Sequence, residues 1–272
     1  MRTLYVSDLD GTLLRKNART SEFTNSVINS LTEKGMIFSY ATARSLITAK
    51  KAASGIRTEI PLIVYNGAFV VGNATGEILI ANYFDASASA LLDDLFSRDI
   101  FPIVYAHIGG AEKFTYLPDK CTKGVREFAD SRRNDIRKNT AASPQELKNG
   151  NIFYITCIDE PSKLAPVYEK YRQDYHSVYQ RDIYSGEQWL EIMPKAASKS
   201  SAAMQLKKLL GCEKIVAFGD GKNDIDLFEA ADECYAVENA VSEQKRKATA
   251  VIESNEDDGV AKWLQANFFC GG

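Results

Sequence analysis

Asp8 and Asp10 stand two residues apart at the end of a short apolar run, Thr3 to Ser7, and in an extended chain that spacing turns both carboxylates to the same side. Far along the chain a second apolar run, Lys214 to Phe218, ends in Gly219-Asp220-Gly221-Lys222-Asn223-Asp224, which brings two more carboxylates. If both runs are strands of one parallel sheet, up to four acidic groups meet at one edge, and such crowding is strongly repulsive unless a cation binds or a proton is retained. A hard divalent ion answers that repulsion. The donors are oxygens with no His or Cys cluster beside them, so Mg2+ is the most economical choice, with positions left open for water and a phosphate oxygen. Two more strand ends carry polar residues, Ala41-Thr42-Ala43-Arg44 and Asn66-Gly67. Ligands of open α/β sheets bind beyond the carboxyl ends of the strands, so all four clusters are expected on one edge.

The flanking sequence supplies the elements that must hold them there. Thr20 or Ser21 can cap a helix whose apolar residues Phe23, Val27, Ile28 and Leu31 recur at helical spacing, and Gly35 stops it. A strand Met36 to Ala41, a helix Ser45 to Ser54 and an apolar run Leu62 to Tyr65 continue a strand and helix alternation, which predicts a parallel sheet with helices on its faces. Ala68 to Val71 and Glu77 to Tyr83 then flank turn-forming residues and read as a hairpin. From 82 to 188 the rhythm is that of a separate α+β unit. The alternation returns with Trp189 to Ile192, a helix Ser198 to Leu210, the strand Lys214 to Phe218, a helix from Asp224, a strand Cys234 to Val237 and a helix Val260 to Asn267. The expected organisation is a Rossmann-like α/β core, 1–81 with 189–272, interrupted by an inserted α+β domain of ordinary size.

With those motifs in that order, the sequence resembles the haloacid dehalogenase superfamily of phosphohydrolases, and within it the Cof-type branch of sugar-phosphatase-like proteins. Asp8-Leu9-Asp10-Gly11-Thr12 looks like the first motif of that superfamily, Thr42 the second, Lys199 the third, and Gly219-Asp220 through Asn223-Asp224 the fourth. The large insertion between the second and third motifs corresponds to the class 2 cap. The resemblance implies that Asp8 is the nucleophile, forming an aspartyl phosphate, and Asp10 the general acid and base. It further implies that Thr42, Asn223 and the amides around Leu9 and Ala43 hold phosphoryl oxygens, and that Lys199 offsets charge on Asp8 and phosphate. Mg2+ would sit between Asp8 and Asp220 with the Asp10 carbonyl as a further ligand, and Asp224 would orient that shell. Asn66 reads either as a turn residue or as a substrate contact. The sequence departs from the family pattern at Ala43 and Ser200, where glycine is more frequent; neither position carries a reacting group.

Composition sets the outer limits. The 272 residues carry 33 Lys and Arg against 36 Asp and Glu, a net charge of -3, so there is no basic field to hold nucleic acid. The five cysteines form no CxxC pair and predict reduced thiols in a cytoplasmic protein, and no run approaches the ~20 apolar residues of a membrane span. The expected partner is a small phosphorylated metabolite, a sugar phosphate first, beneath a mobile cap; the sequence carries no signal of oligomeric state. Simpler readings stand beside these: Asp10-Gly11 as a turn, Thr42 as a helix cap, Lys199 as an exposed helical lysine, Asp220 and Asp224 as helix starters. His107 and His176 lack a partner at ligand spacing, and the strand aromatics Tyr105, Phe114, Tyr116, Tyr154, Tyr179 and Tyr184 read as packing. Asn239, Asn255 and Asp258 match polar positions near the end of Cof-type chains but also suit ordinary loops. A phosphomutase and a non-catalytic metabolite-binding regulator are the rival functions.

Overall fold

The structure, a computed structural model, describes residues 2–182 and 186–268. Ile183, Tyr184 and Cys270 lie outside the described residues. The chain divides into two compact units, Met1–Ala81 with Ala197–Gly272, and Asn82–Ala196.

The first unit opens with β1 (Thr3–Ser7), α1 (Glu22–Glu33), β2 (Ile37–Tyr40), α2 (Leu46–Ala52), β3 (Leu62–Val64), β4 (Phe69–Val71) and β5 (Ile78–Ala81). The second contains α3 (Ser87–Ser97), β6 (Ile103–Ile108), β7 (Ala111–Tyr116), α4 (Lys123–Ser131), β8 (Lys138–Thr140), β9 (Asn151–Ile158), α5 (Pro161–Tyr171), β10 (His176–Arg181) and β11 (Gln188–Met193). The chain returns to the first unit with α6 (Lys199–Leu209), β12 (Lys214–Gly219), α7 (Ile225–Ala230), β13 (Glu233–Val237), α8 (Ser242–Lys247), β14 (Ala250–Ile252) and α9 (Gly259–Asn267). None of the described helices is long and apolar enough to cross a membrane.

The core sheet has the order β14-β13-β12-β1-β2, and every pairing in it is parallel. Its central strands are buried on both faces, as Leu4, Val6, Ile215, Ala217 and Phe218 show at 0% exposure, which is why they read as continuous apolar runs rather than alternating ones. Helix starts are fixed locally. Ser21, Ser45 and Ser198 each accept an N–H three residues on, from Thr24, Thr48 and Ser201.

Two strand assignments differ from expectation. Leu62 to Tyr65 was to continue the parallel sheet, but β3 reaches that sheet through one parallel bridge, Ala41 to Ile63, and otherwise pairs antiparallel with β4. The cause is a reversal at Tyr65 and Asn66, both at φ 51°, which turns the chain straight back. Trp189 to Ile192 was to open the second half of the core; instead β11 lies between β9 and β10 in the sheet β10-β11-β9-β6-β7-β8, antiparallel to both neighbours. Leu190 and Ile192 pack there with Leu92, Leu164 and Val167 from α3 and α5. Their burial needs helices that the core unit does not own, so the second unit extends to Ala196 rather than ending at 188.

Candidate active site

Adjacent parallel strands deliver the two acidic clusters to one place. Ser7 lies opposite Phe218 in the β1/β12 register, and the Asp8 N–H donates to the Phe218 carbonyl at 2.9 Å. Asp8 and Asp220 therefore leave the sheet side by side. Carboxylate oxygens of Asp8, Asp220 and Asp224 all lie within 4.8 Å of one another.

Lys199 enters this cluster from the first turn of α6. It is 0% exposed, and its ammonium donates to Asp8 Oδ1 at 2.5 Å and to Asp224 Oδ1 at 2.7 Å. The exposed helical lysine of the simpler reading is excluded. The other oxygen of Asp224 accepts the N–H groups of Asp220 and Gly221, each at 3.1 Å. Asp224 thus has both oxygens engaged, whereas Asp220 keeps one oxygen outside its 3.1 Å bond from the Thr12 hydroxyl.

Burial drives the electrostatics. It raises the Asp8 pKa well above the usual carboxylate range; the Lys199 ammonium works against this, and the charges of Asp224, Asp220 and Asp10 add to it. Burial also pushes Asp220 up to about 7, reinforced by Asp224. For Lys199, burial disfavours the charged form but Asp224 and Asp8 outweigh it, so its pKa rises and the ammonium persists. Three carboxylates face one ammonium. All donors are hard oxygens, and the uncompensated charge is that of a site suited to a divalent cation such as Mg2+.

One consequence is measurable. The Asp220 carboxyl titrates near 7 in the folded chain against an ordinary value of 3.8, so its ionised form costs stability that is lost progressively as pH rises from about 4 to about 7. A cation bound to the ionised carboxylates offsets that loss. The gain in melting temperature on adding Mg2+ is expected to be small near pH ~5 and to reach several degrees near pH ~8. Scanning calorimetry at both pH values checks it; a gain that does not depend on pH would contradict the charge argument.

Asp10 occupies a different setting from Asp8. Its carboxylate takes a two-point ion pair from Arg44, Nε to Oδ2 at 2.7 Å and Nη2 to Oδ1 at 2.5 Å. The Thr42 hydroxyl does not cap α2, a task left to Ser45; it accepts the Arg44 N–H at 3.1 Å and so shapes the loop that presents the guanidinium. The Thr42 carbonyl accepts the Asn66 N–H at 2.9 Å, and the Arg44 carbonyl accepts the Tyr65 N–H at 3.0 Å, which ties the third strand end to the second. Asn66 adopts a left-handed turn conformation, with its side chain buried. Gly67, at φ 93°, lies so close to the Ser198 backbone that a Cβ would collide with it. The turn thereby seats the residue preceding Lys199. Leu9 is buried, Ala43 is partly exposed, and Asn223 sits on the 3-10 turn Lys222–Asp224, partly exposed. None of these three is drawn by a hydrogen bond into the carboxylate cluster among the described residues.

The profile of the haloacid dehalogenase-like hydrolases matches residues 5–264. The chain belongs to that family. Similar members include the 5-amino-6-(5-phospho-D-ribitylamino)uracil phosphatase YwtE of Bacillus subtilis, 28% identical with 94% of this chain and 95% of that protein covered. A putative phosphatase of Streptococcus pyogenes is 27% identical over 96% of this chain and 98% of its own length. Among solved structures, the crystal structure of TM0651 from Thermotoga maritima is 26% identical with a TM-score of 0.77, covering 99% of this chain and 98% of that one.

In this hydrolase, sequence reasoning passed over Arg44 and Thr12 as site residues. Both stand inside the motifs, Thr12 four residues after Asp8 and Arg44 two after Thr42, so position alone was a signal. What position did not disclose is that Arg44 pairs with Asp10 and Thr12 with Asp220.

Proposed function

We propose that this hydrolase is a Mg2+-dependent phosphomonoester phosphatase acting through an aspartyl phosphate. The observation that carries the reading is the division of labour between two neighbouring aspartates: Asp8 is buried beside Lys199 and the Asp220 and Asp224 carboxylates, while Asp10 is held apart by Arg44.

In this mechanism an oxygen of Asp8 attacks phosphorus and the ester P–O bond breaks. Asp10, in its protonated form, gives its proton to the departing alkoxide. Asp10 then takes a proton from water, whose oxygen attacks phosphorus, and inorganic phosphate leaves with Asp8 restored as carboxylate. Lys199 balances charge on Asp8 and on the phosphoryl group, and Thr42, Asn223 and the amides of Leu9 and Ala43 hold phosphoryl oxygens. Asp8, Asp220 and the Asp10 carbonyl would hold Mg2+, with Asp224 fixing the loop of Asp220. A bound Mg2+ supplies the positive charge that lets the phosphate anion approach an anionic nucleophile. Arg44 aims the Asp10 carboxyl.

The substrates proposed are small phosphorylated metabolites with a sugar or sugar-alcohol chain, in keeping with the relative named for a phosphoribityl substrate. A phosphate-release screen over sugar phosphates, polyol phosphates and phosphorylated ribitylaminouracil, with Mg2+ and with chelator, is expected to show release with Mg2+ only. A folded, Mg2+-loaded protein that releases nothing would return the regulator to consideration. Turnover that needs a bisphosphate activator would instead favour the mutase.

A further inference from the structure

The late segment 239–258 reaches back to both acidic loops. The Asn239 side chain donates from Nδ2 to the Gly11 carbonyl at 2.7 Å, and two residues on, the Val241 N–H donates to the Asp220 carbonyl at 2.9 Å. One short loop thus grips the main chain beyond β1 and the main chain beyond β12. The orientation of the Asn239 amide is set, because its Oδ1 accepts the Asn255 N–H at 3.0 Å. Asn255, itself buried, donates from Nδ2 to the Leu14 carbonyl at 2.8 Å, closing the other end of the turn in which Thr12, Leu13 and Leu14 all donate to the Leu9 carbonyl. Asp258 anchors this segment in turn. It accepts Arg15 at 2.6 Å, the Ser21 hydroxyl at 2.7 Å and the Thr24 hydroxyl at 3.1 Å, at the start of α1.

Space makes the grip consequential. Gly11 has φ 81° and lies against the Asp220 carboxylate so closely that a Cβ there would overlap it. A shift of the Gly11 peptide therefore changes the spacing between the Asp10 loop and Asp220.

We infer that Asn239 and Asn255 are positioning residues that bracket the Asp10 and Asp220 loops, holding the two at the separation the reaction needs. The catalytic part of this inference rests on the phosphatase reading above; the bracket itself does not. Asn239 is solvent-exposed, so its removal leaves the core intact. Misplacement of reacting groups by an ångström costs about a hundredfold in rate.

The test compares Asn239→Ala and Asn255→Ala with Lys262→Ala, which removes a surface ion pair to Glu253 but none of the side-chain hydrogen bonds of the bracket. Three readouts are taken: amide hydrogen exchange of Thr12, Leu13 and Leu14, Mg2+ affinity by calorimetry without substrate, and kcat against KM. For Asn239→Ala we expect faster exchange at those amides, Mg2+ binding weakened about tenfold and kcat lowered roughly 10- to 100-fold, with KM within about twofold and an unchanged melting temperature. Lys262→Ala is expected to match wild type throughout. Unchanged exchange at the three amides in folded Asn239→Ala would overturn the bracket, whatever the activity. Exchange and Mg2+ changes in a protein that releases no phosphate would keep the bracket and remove the phosphatase reading. Faster exchange with kcat unaltered would remove the positioning role. Should Asn255→Ala fail to fold, Asn239→Ala decides alone.

Discussion

Asp8→Asn is expected to abolish phosphate release, by on the order of a thousandfold or more, without unfolding the chain. An amide oxygen is a poor nucleophile toward phosphorus and yields no stable acyl phosphate, so the covalent route closes at its first step. The fold should tolerate the change. Asn is close to isosteric, its carbonyl oxygen still accepts from Lys199, and the ammonium keeps its 2.7 Å pair with Asp224. Because burial raises the Asp8 pKa, the ionised carboxylate is a burden at neutral pH, and removing that charge leaves the Mg2+-free melting temperature equal to or above wild type. Turnover measured by phosphate release, with melting temperature as the fold control, checks both halves. Wild-type activity in the variant would exclude the aspartyl phosphate.

Lys199→Met is expected to lose both activity and stability. The ammonium is wholly buried and serves Asp8 and Asp224 together, so its loss leaves two buried carboxylates without a counter-charge. Breaking a buried ion pair from one side costs about 3–5 kcal/mol, which for a unit of this size lowers the melting temperature on the order of 10 °C. The sign of the pH dependence identifies the cause. The part of the penalty that comes from ionised Asp8, whose pKa burial already raises, shrinks as pH falls and that carboxylate takes up a proton. Added Mg2+ restores part of the loss by supplying charge at the same place. A melting temperature equal to wild type at neutral pH would mean that Lys199 carries no such load.

The two variants separate chemistry from architecture. Asp8→Asn removes the reacting oxygen and relieves the excess negative charge; Lys199→Met spares the reacting oxygen and worsens that excess. Both variants keep Asp220 and so keep its pH-dependent response to Mg2+, but only Lys199→Met should show, at neutral pH, a melting temperature below wild type that recovers as pH falls.

The α/β core and the residues of the acidic edge follow from local pattern. Strands buried on both faces must be continuous apolar runs, and a parallel sheet presents all its carboxyl ends to one side, so the positions of Asp8, Thr42 and Asp220 after such runs put them at one edge. The Ser21 cap and the Gly35 stop are equally local and were equally visible, whereas the cap of α2 falls on Ser45 and not on Thr42. The partnerships come from packing: Lys199 between Asp8 and Asp224, Arg44 on Asp10, Asn239 on Gly11, and β11 in the inserted sheet instead of the core. Each of these joins groups distant in the chain or turns on which surface a side chain is packed against. A strand such as Gln188–Met193 carries the same apolar residues whichever sheet receives it, and an arginine after Thr42 carries the same charge whether it faces water or a carboxylate. Local spacing fixes periodicity and reach, whereas the choice of partner depends on how distant segments are packed together.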